Sequence, residues 1–135
     1  MRSGAAMEGR FQSPSAAIVT AGGVELARNV KIAASFRDRA RGLLGRHELS
    51  SDEGMLFEPG GSIHTLWMRM CIDVAFLDRD LRVLKISSAV SPWRLRFAPR
   101  GTRYTLELAS GKLVACNLRV GEQLRMLPPQ FGVAA

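Results

Sequence analysis

Cysteine is scarce in this chain. Cys71 and Cys116 are the only two among 135 residues, far apart and in no C-x-x-C or zinc-type spacing. Both sit beside apolar residues, where a reduced cysteine behaves as a small hydrophobe. Imidazoles are equally few, His47 and His64. A metal centre needs three or four convergent ligands, so neither a metal nor any other cofactor is expected. No apolar run approaches the roughly 18 residues of a membrane span, which excludes a membrane-crossing helix. The stretch from Ala16 to Ala21 is broken by Thr20 and too short for a signal-peptide core; a cytoplasmic location is the default expectation. A G-x-S-x-G nucleophile elbow and a glycine-rich phosphate loop are both missing. The familiar routes to serine hydrolysis and nucleotide binding are therefore not written here.

What is present is a balanced globular composition, 47% hydrophobic and 23% charged. Its length suits one domain, able to bury roughly two-thirds of its unfolded surface without a staple. The charge is basic, with 19 Lys+Arg against 12 Asp+Glu and a net of +7. Cations concentrate twice, at Arg37, Arg39, Arg41 and Arg46, then at Arg94, Arg96, Arg100 and Arg103 beside Trp93, Phe97 and Tyr104. Along the whole chain, however, acids are interspersed with them. That pattern describes a solvated arginine-rich surface better than a segregated phosphate footprint, and nucleic acid is not an expected partner.

Residues 1 to about 20, with Gly4, Gly9, Ser13 and Pro14, read as a flexible leader. A single β-rich domain follows over 21–129, and 130–135 is a tail. Val24-Glu25-Leu26 and Val30-Lys31-Ile32 alternate as half-buried strands, with Arg28-Asn29 as the turn between them. The period then changes. Ser35 can cap a helix with Asp38 three residues on, Phe36, Ala40, Leu43 and Leu44 form one stripe, and Gly45 ends it. Short apolar segments follow at 54–57, 63–70, 72–77, 81–90 and 103–108, separated by turn chemistry such as Pro59-Gly60-Gly61 and Asp78-Arg79-Asp80. A short helix over about 110–116 and a last strand near 123–126 close the domain. No strand–helix–strand rhythm is visible. The expected fold is mostly β, an antiparallel sandwich or barrel-like sheet with one or two short helices.

The densest polar cluster lies between Ser62 and Asp73. Read as a strand, it places Ser62, His64, Leu66 and Met68 on one face and Ile63, Thr65, Trp67 and Arg69 on the other. A histidine and a carboxylate can perform acid–base work, and an arginine can grip a carboxylate or phosphate in two-point fashion. Equally, His64 can be a hydrogen-bonded core group, Trp67 core mass, and Arg69 and Asp73 each other's partners. Glu107 sits mid-strand among apolar residues, and alternation alone leaves open whether it is buried or faces water.

Several blocks then occur in a fixed order: Arg39-Ala40-Arg41-Gly42-Leu43-Leu44-Gly45-Arg46, Gly54-Met55-Leu56-Phe57, His64-Thr65 with Trp67-Met68-Arg69, and Ile72-Asp73-Val74-Ala75-Phe76-Leu77-Asp78. Leu106-Glu107-Leu108 with Gly111, and Val120-Gly121-Glu122, complete the series. Over about residues 22–127 this resembles the domain of unknown function (DUF) 192 family. The resemblance implies a small, mostly antiparallel β fold and brings no established reaction, cofactor or substrate. Its characteristic polar positions fall on Arg41, His64, Arg69, Asp73 and Glu107. Cys71 departs from the family's usual proline, and 94–97 matches only loosely.

Three functions are compatible with these residues. The first is binding of a small anionic ligand in a cleft lined by His64, Trp67, Arg69 and Asp73, with Arg41 and Glu107 as further candidates. The second is a hydrolase or acid–base enzyme using His64 and Asp73. The third is a module that docks on protein or RNA through Trp93 and Arg94, Arg96, Arg100 and Arg103. The oligomeric state is not legible.

Overall fold

A computed structural model describes residues 15–34, 46 and 48–128. Along them run β1 (Ser15–Thr20), β2 (Glu25–Ala33), β3 (Glu53–Phe57), β4 (Ile63–His64) and β5 (Ile72–Leu77). β6 (Val83–Val90), β7 (Leu95–Arg96), β8 (Tyr104–Ala109), α1 (Lys112–Ala115) and β9 (Leu124–Leu127) follow. Seven strands make one sheet in the order β6-β5-β8-β3-β2-β1-β9, and β4 pairs with β7 apart from it. Neighbours are antiparallel except β2 and β3, which run parallel. A parallel pair needs a long crossover. Here it passes through 34–52, where the sequence places its first helix. That helix, with Arg41, lies outside the described residues.

The sheet curls until its two edges meet at one end. Gly121 N donates to Val83 O at 2.8 Å, Val83 N donates to Glu122 O at 2.8 Å, and Leu124 N donates to Leu81 O at 2.9 Å. A bridge between Arg82 and Gln123 joins the same edges. The result is a half-barrel, mostly β and mostly antiparallel, as expected from the strand spacing.

Alternation along β5 and β8 then sorts side chains into two cores. Ala75 and Leu77 with Leu106 and Leu108 fill the concave side, together with Ile18, Leu26, Val30, Leu56 and Leu113 of α1. Ile72, Val74 and Phe76 face the convex side, where Met55, Phe57, Ile63, Met68 and Met70 cover them. The central strands are therefore buried on both faces, which explains the unbroken apolar run from Val74 to Leu77. Among the described residues no helix is long and apolar enough to cross a membrane.

Three expectations need correction. Residues 15–20 are not leader: Ala16 to Thr20 are buried, and β1 is hydrogen-bonded on both sides, to β2 and β9. A strand buried on both faces shows no alternation, so its short apolar run was legible only as punctuation of a polar segment. Arg28-Asn29 is no turn either. β2 continues through it, and the register against β1 slips there by one residue, a bulge that leaves Arg28 and Asn29 both exposed. Finally, the alternation from Ser62 to Arg69 ends after His64, because the backbone turns at Trp67 with φ of 70°.

The turn before β4 shows how closely the apron of β4 and β7 is laid on the sheet. Gly60 N donates to Arg103 O at 2.7 Å, and Thr105 Oγ1 exchanges hydrogen bonds with Gly61 N and O, each 2.8 Å. A Cβ on Gly60 would run into the backbone nitrogen of Thr105. Gly60→Ala should therefore lower stability by about 1–3 kcal/mol, the usual cost of overpacking against backbone; an unchanged urea midpoint would show that the turn yields freely.

Candidate functional site

Thr65, fully buried at the exit of β4, organises the loops that carry the polar cluster. Its Oγ1 donates to Ser91 O at 2.6 Å and accepts from Arg94 N at 2.8 Å. Its backbone N–H donates to Arg94 O at 2.9 Å, and its carbonyl accepts from Trp93 N at 3.0 Å. One side chain thus locks segment 65–69 to segment 91–94. Each segment carries a tryptophan, and the two indoles meet edge to face with centroids 4.7 Å apart and planes at 63°. Both are mostly outside the core, Trp67 at 67% exposure and Trp93 at 51%. Both also hold positive φ, 70° and 64°, a conformation that large side chains rarely adopt and that surrounding structure must enforce.

His64 opens this cluster, half-buried at the end of β4 and paired across from exposed Leu95. Its Nδ1 accepts from Leu66 N at 3.3 Å. Arg69, exposed, lies two residues beyond Trp67. Arg94 and Arg96 bend back on the carbonyls of Trp93 and Leu95, at 3.3 and 2.7 Å. Ser62 Oγ accepts from Ala98 N at 2.8 Å, and Lys85 Nζ donates to Phe97 O at 3.1 Å, so the far end of the apron is anchored as well.

Asp73 belongs to a different environment. It lies opposite Leu108 and faces the concave core, entirely shielded from water. Oδ1 accepts from Ala89 N at 2.8 Å and Oδ2 from Leu113 N at 2.9 Å. Glu107 lies opposite Val74 and faces the convex core, with both carboxylate oxygens sealed from solvent. The two acids sit on neighbouring strands yet project to opposite faces of the sheet. The structure therefore gathers His64, Trp67 and Arg69 on one exposed loop, adds Trp93 beside them, and sets Asp73 and Glu107 in separate interiors. Thr65 stands in the His64-Thr65 block of the sequence, but its role was not legible there, because the partners of its hydroxyl lie more than twenty residues away.

A second polar group surrounds a depression of about 10 Å³, room for roughly one water, lined by Asn29, Lys31, Arg46 and Glu53. Arg46 donates to Glu53 Oε1 at 2.7 Å, and Ser50 N donates to the same oxygen at 3.0 Å. The Arg46 hydrogen bond, against an opposing desolvation effect, holds the Glu53 carboxyl below its ordinary value. Among the described residues no three histidine, cysteine or acidic side chains converge as a metal site would require.

Comparison with known proteins places the chain. The model of the DUF192 family, described as an uncharacterized ACR, matches residues 17–126. The chain belongs to the DUF192 family. A UPF0127 protein of Pyrococcus furiosus is 30% identical over 105 residues, covering 76% of this chain and 90% of that one. A UPF0127 protein of Pyrococcus horikoshii is 31% identical over 99 residues, 71% and 85% of the two chains. Two crystal structures share the fold. One, from Sinorhizobium meliloti and provisionally described as a transcription regulator, has a TM-score of 0.75 at 21% identity, covering 86% of this chain and 96% of its own. The other, a protein of unknown function from Novosphingobium aromaticivorans, has a TM-score of 0.70 at 22% identity over 82% and 83%. At such identities the likeness speaks for the DUF192 fold alone.

Two outcomes follow from these geometries. Asp73→Ala leaves two interior amides without an acceptor and should cost about 2–5 kcal/mol, whereas Asp73→Asn, which keeps one acceptor oxygen, should cost less; equal urea midpoints for all three proteins would refute the tie. Glu53→Gln should lose about 0.2–1 kcal/mol at neutral pH, a screened surface contribution. Because the folded carboxyl is held below 4.5, that stability is present above this value and is lost as pH falls through the lowered one. The two proteins should thus converge in acid, as denaturation at successive pH values will read.

Proposed function

We propose that this DUF192 protein is a recognition module for anionic ligands, and that its contact surface is the outer side of the β4–β7 apron. The observation that carries this reading is the pair Trp67–Trp93, exposed, edge to face, and held at positive φ by a buried threonine. Side chains that only fold a protein are not left in this state; rigid exposed aromatics beside arginine are the usual makings of a binding hot spot. Arg69 supplies fixed donors, Trp67 an apolar wall, and His64 a titratable neighbour. Binding without turnover fits better than acid–base chemistry. A His64–Asp73 catalytic pair needs an accessible carboxylate, and Asp73 is fully buried with both oxygens already accepting backbone amides.

Both tryptophans of the chain lie in this surface, so indole fluorescence reports on it directly. Inorganic phosphate, citrate or a uronic acid should change the emission saturably and raise the melting temperature. Arg69→Ala should weaken the response by roughly 10- to 100-fold, the worth of a charge-assisted hydrogen bond. Identical titrations of wild type and Arg69→Ala, or no response to any of these anions, would overturn the reading.

A further inference from the structure

The apron carries more than a small ligand would use. Leu95 and Phe97 extend the tryptophan pair with exposures of 55% and 67%, giving four large apolar side chains in the open on one small sheet and its loops. Residues 59–72 and 91–106 contribute five arginines and no acid. One of the five, Arg103, is offset by Glu58 at 3.1 Å, while Asp73 and Glu107 on the adjoining strands are buried. Acids are thus sparse on this face, with Glu58 at its margin. A surface so charged selects a polyanion.

We propose that the occupant is a single-stranded nucleic acid, with bases on Trp67, Trp93 and Phe97 and phosphates on the exposed Arg94 and Arg100. The assignment rests on the anion-binding reading above and names the partner of the same surface. Its chemistry is that of a stacking platform beside a cationic track. An edge-to-face pair leaves at least one face of each indole uncovered by the other, open to a planar base. An acidic peptide satisfies the guanidinium groups but offers no planar partner for the rings. The platform is also preorganised, its loops joined through Thr65 and its far end held by Ser62 and Lys85, so little ordering remains to oppose binding.

The test uses the full chain and 12-nucleotide oligo(U) and oligo(dT), read by anisotropy and by indole quenching. Inorganic polyphosphate of matching charge, a mononucleotide, oligoglutamate and phosphatidylglycerol vesicles run in parallel. Oligonucleotide binding should fall with salt at a log–log slope of about −1.4, from two phosphate contacts at roughly 0.7 each. Arg100→Ala should make that slope shallower by about 0.7. Trp67→Ala and Trp93→Ala should each weaken binding by about 5- to 100-fold, while Trp67→Phe and Trp93→Phe, which keep a stacking ring in the same loops, should restore most of it. A difference between oligo(U) and oligo(dT) names the natural strand. If polyphosphate or the mononucleotide binds as tightly as the oligonucleotides and the ring variants change nothing, the strand assignment falls and the small-anion reading stands. Tighter binding of oligoglutamate or vesicles overturns the assignment as well. Should no anion bind at all, both readings fail together.

Discussion

The carboxylate of Asp73 settles two backbone problems at once, and the shape of the molecule follows from them. Between Ile72 and Val74 the β5–β6 register slips, so that β6 carries one residue more than its partner. Such a bulge takes an amide out of the ladder, and a buried amide without an acceptor costs about as much as a lost hydrogen bond. Ala89, at φ of 49° within this slip, gives its N–H to Asp73 Oδ1. The other orphan is Leu113, in the first turn of α1, whose N-cap Gly111 has no side chain to offer. Its N–H goes to Oδ2. One side chain on a central strand therefore permits β6 to bend and seats α1 over the concave core, where Leu113 is buried.

The bend has a consequence at the surface. β6 ends at Val90, and the chain runs directly into Ser91-Pro92-Trp93, which Thr65 binds through Ser91 O. The bulge that Asp73 supports thus aims the tryptophan-bearing loop at the end of β4. Two buried polar side chains, one in each layer, connect a core register slip to the exposed indole pair. Neither is exposed on that surface, and both act by holding its loops.

This division also explains what the sequence could and could not convey. Strands β5, β8 and β9, the turn at Asp78-Arg79-Asp80 and the small helix after β8 are local patterns, each within a few residues of where the structure has it. Order and spacing of the motif blocks led to the DUF192 family. Roles were harder. In β5 an aspartate flanked by apolar residues looks the same whether it serves a ligand or a buried amide, because its donors come from residues 89 and 113. Trp67 and Trp93 meet across a long separation that no periodicity announces. The alternation that placed Trp67 with Ile63 and Thr65 presumed extended backbone, and a positive φ ends it.

The polar residues His64, Arg69, Asp73 and Glu107 consequently do not form one constellation. On adjoining strands, Asp73 and Glu107 are offset by one residue in register, and with a period of two that offset sends them to opposite sides of the sheet. No rotamer change brings them together through a packed layer that includes Leu56, Ala75 and Leu106, all fully buried. His64 and Arg69 lie on the convex side, beyond the covering methionines Met68 and Met70. An acid–base pairing of His64 with Asp73 would have to cross that same layer. What the described residues present to solvent on that side is an aromatic and cationic face, the surface on which the recognition proposal rests.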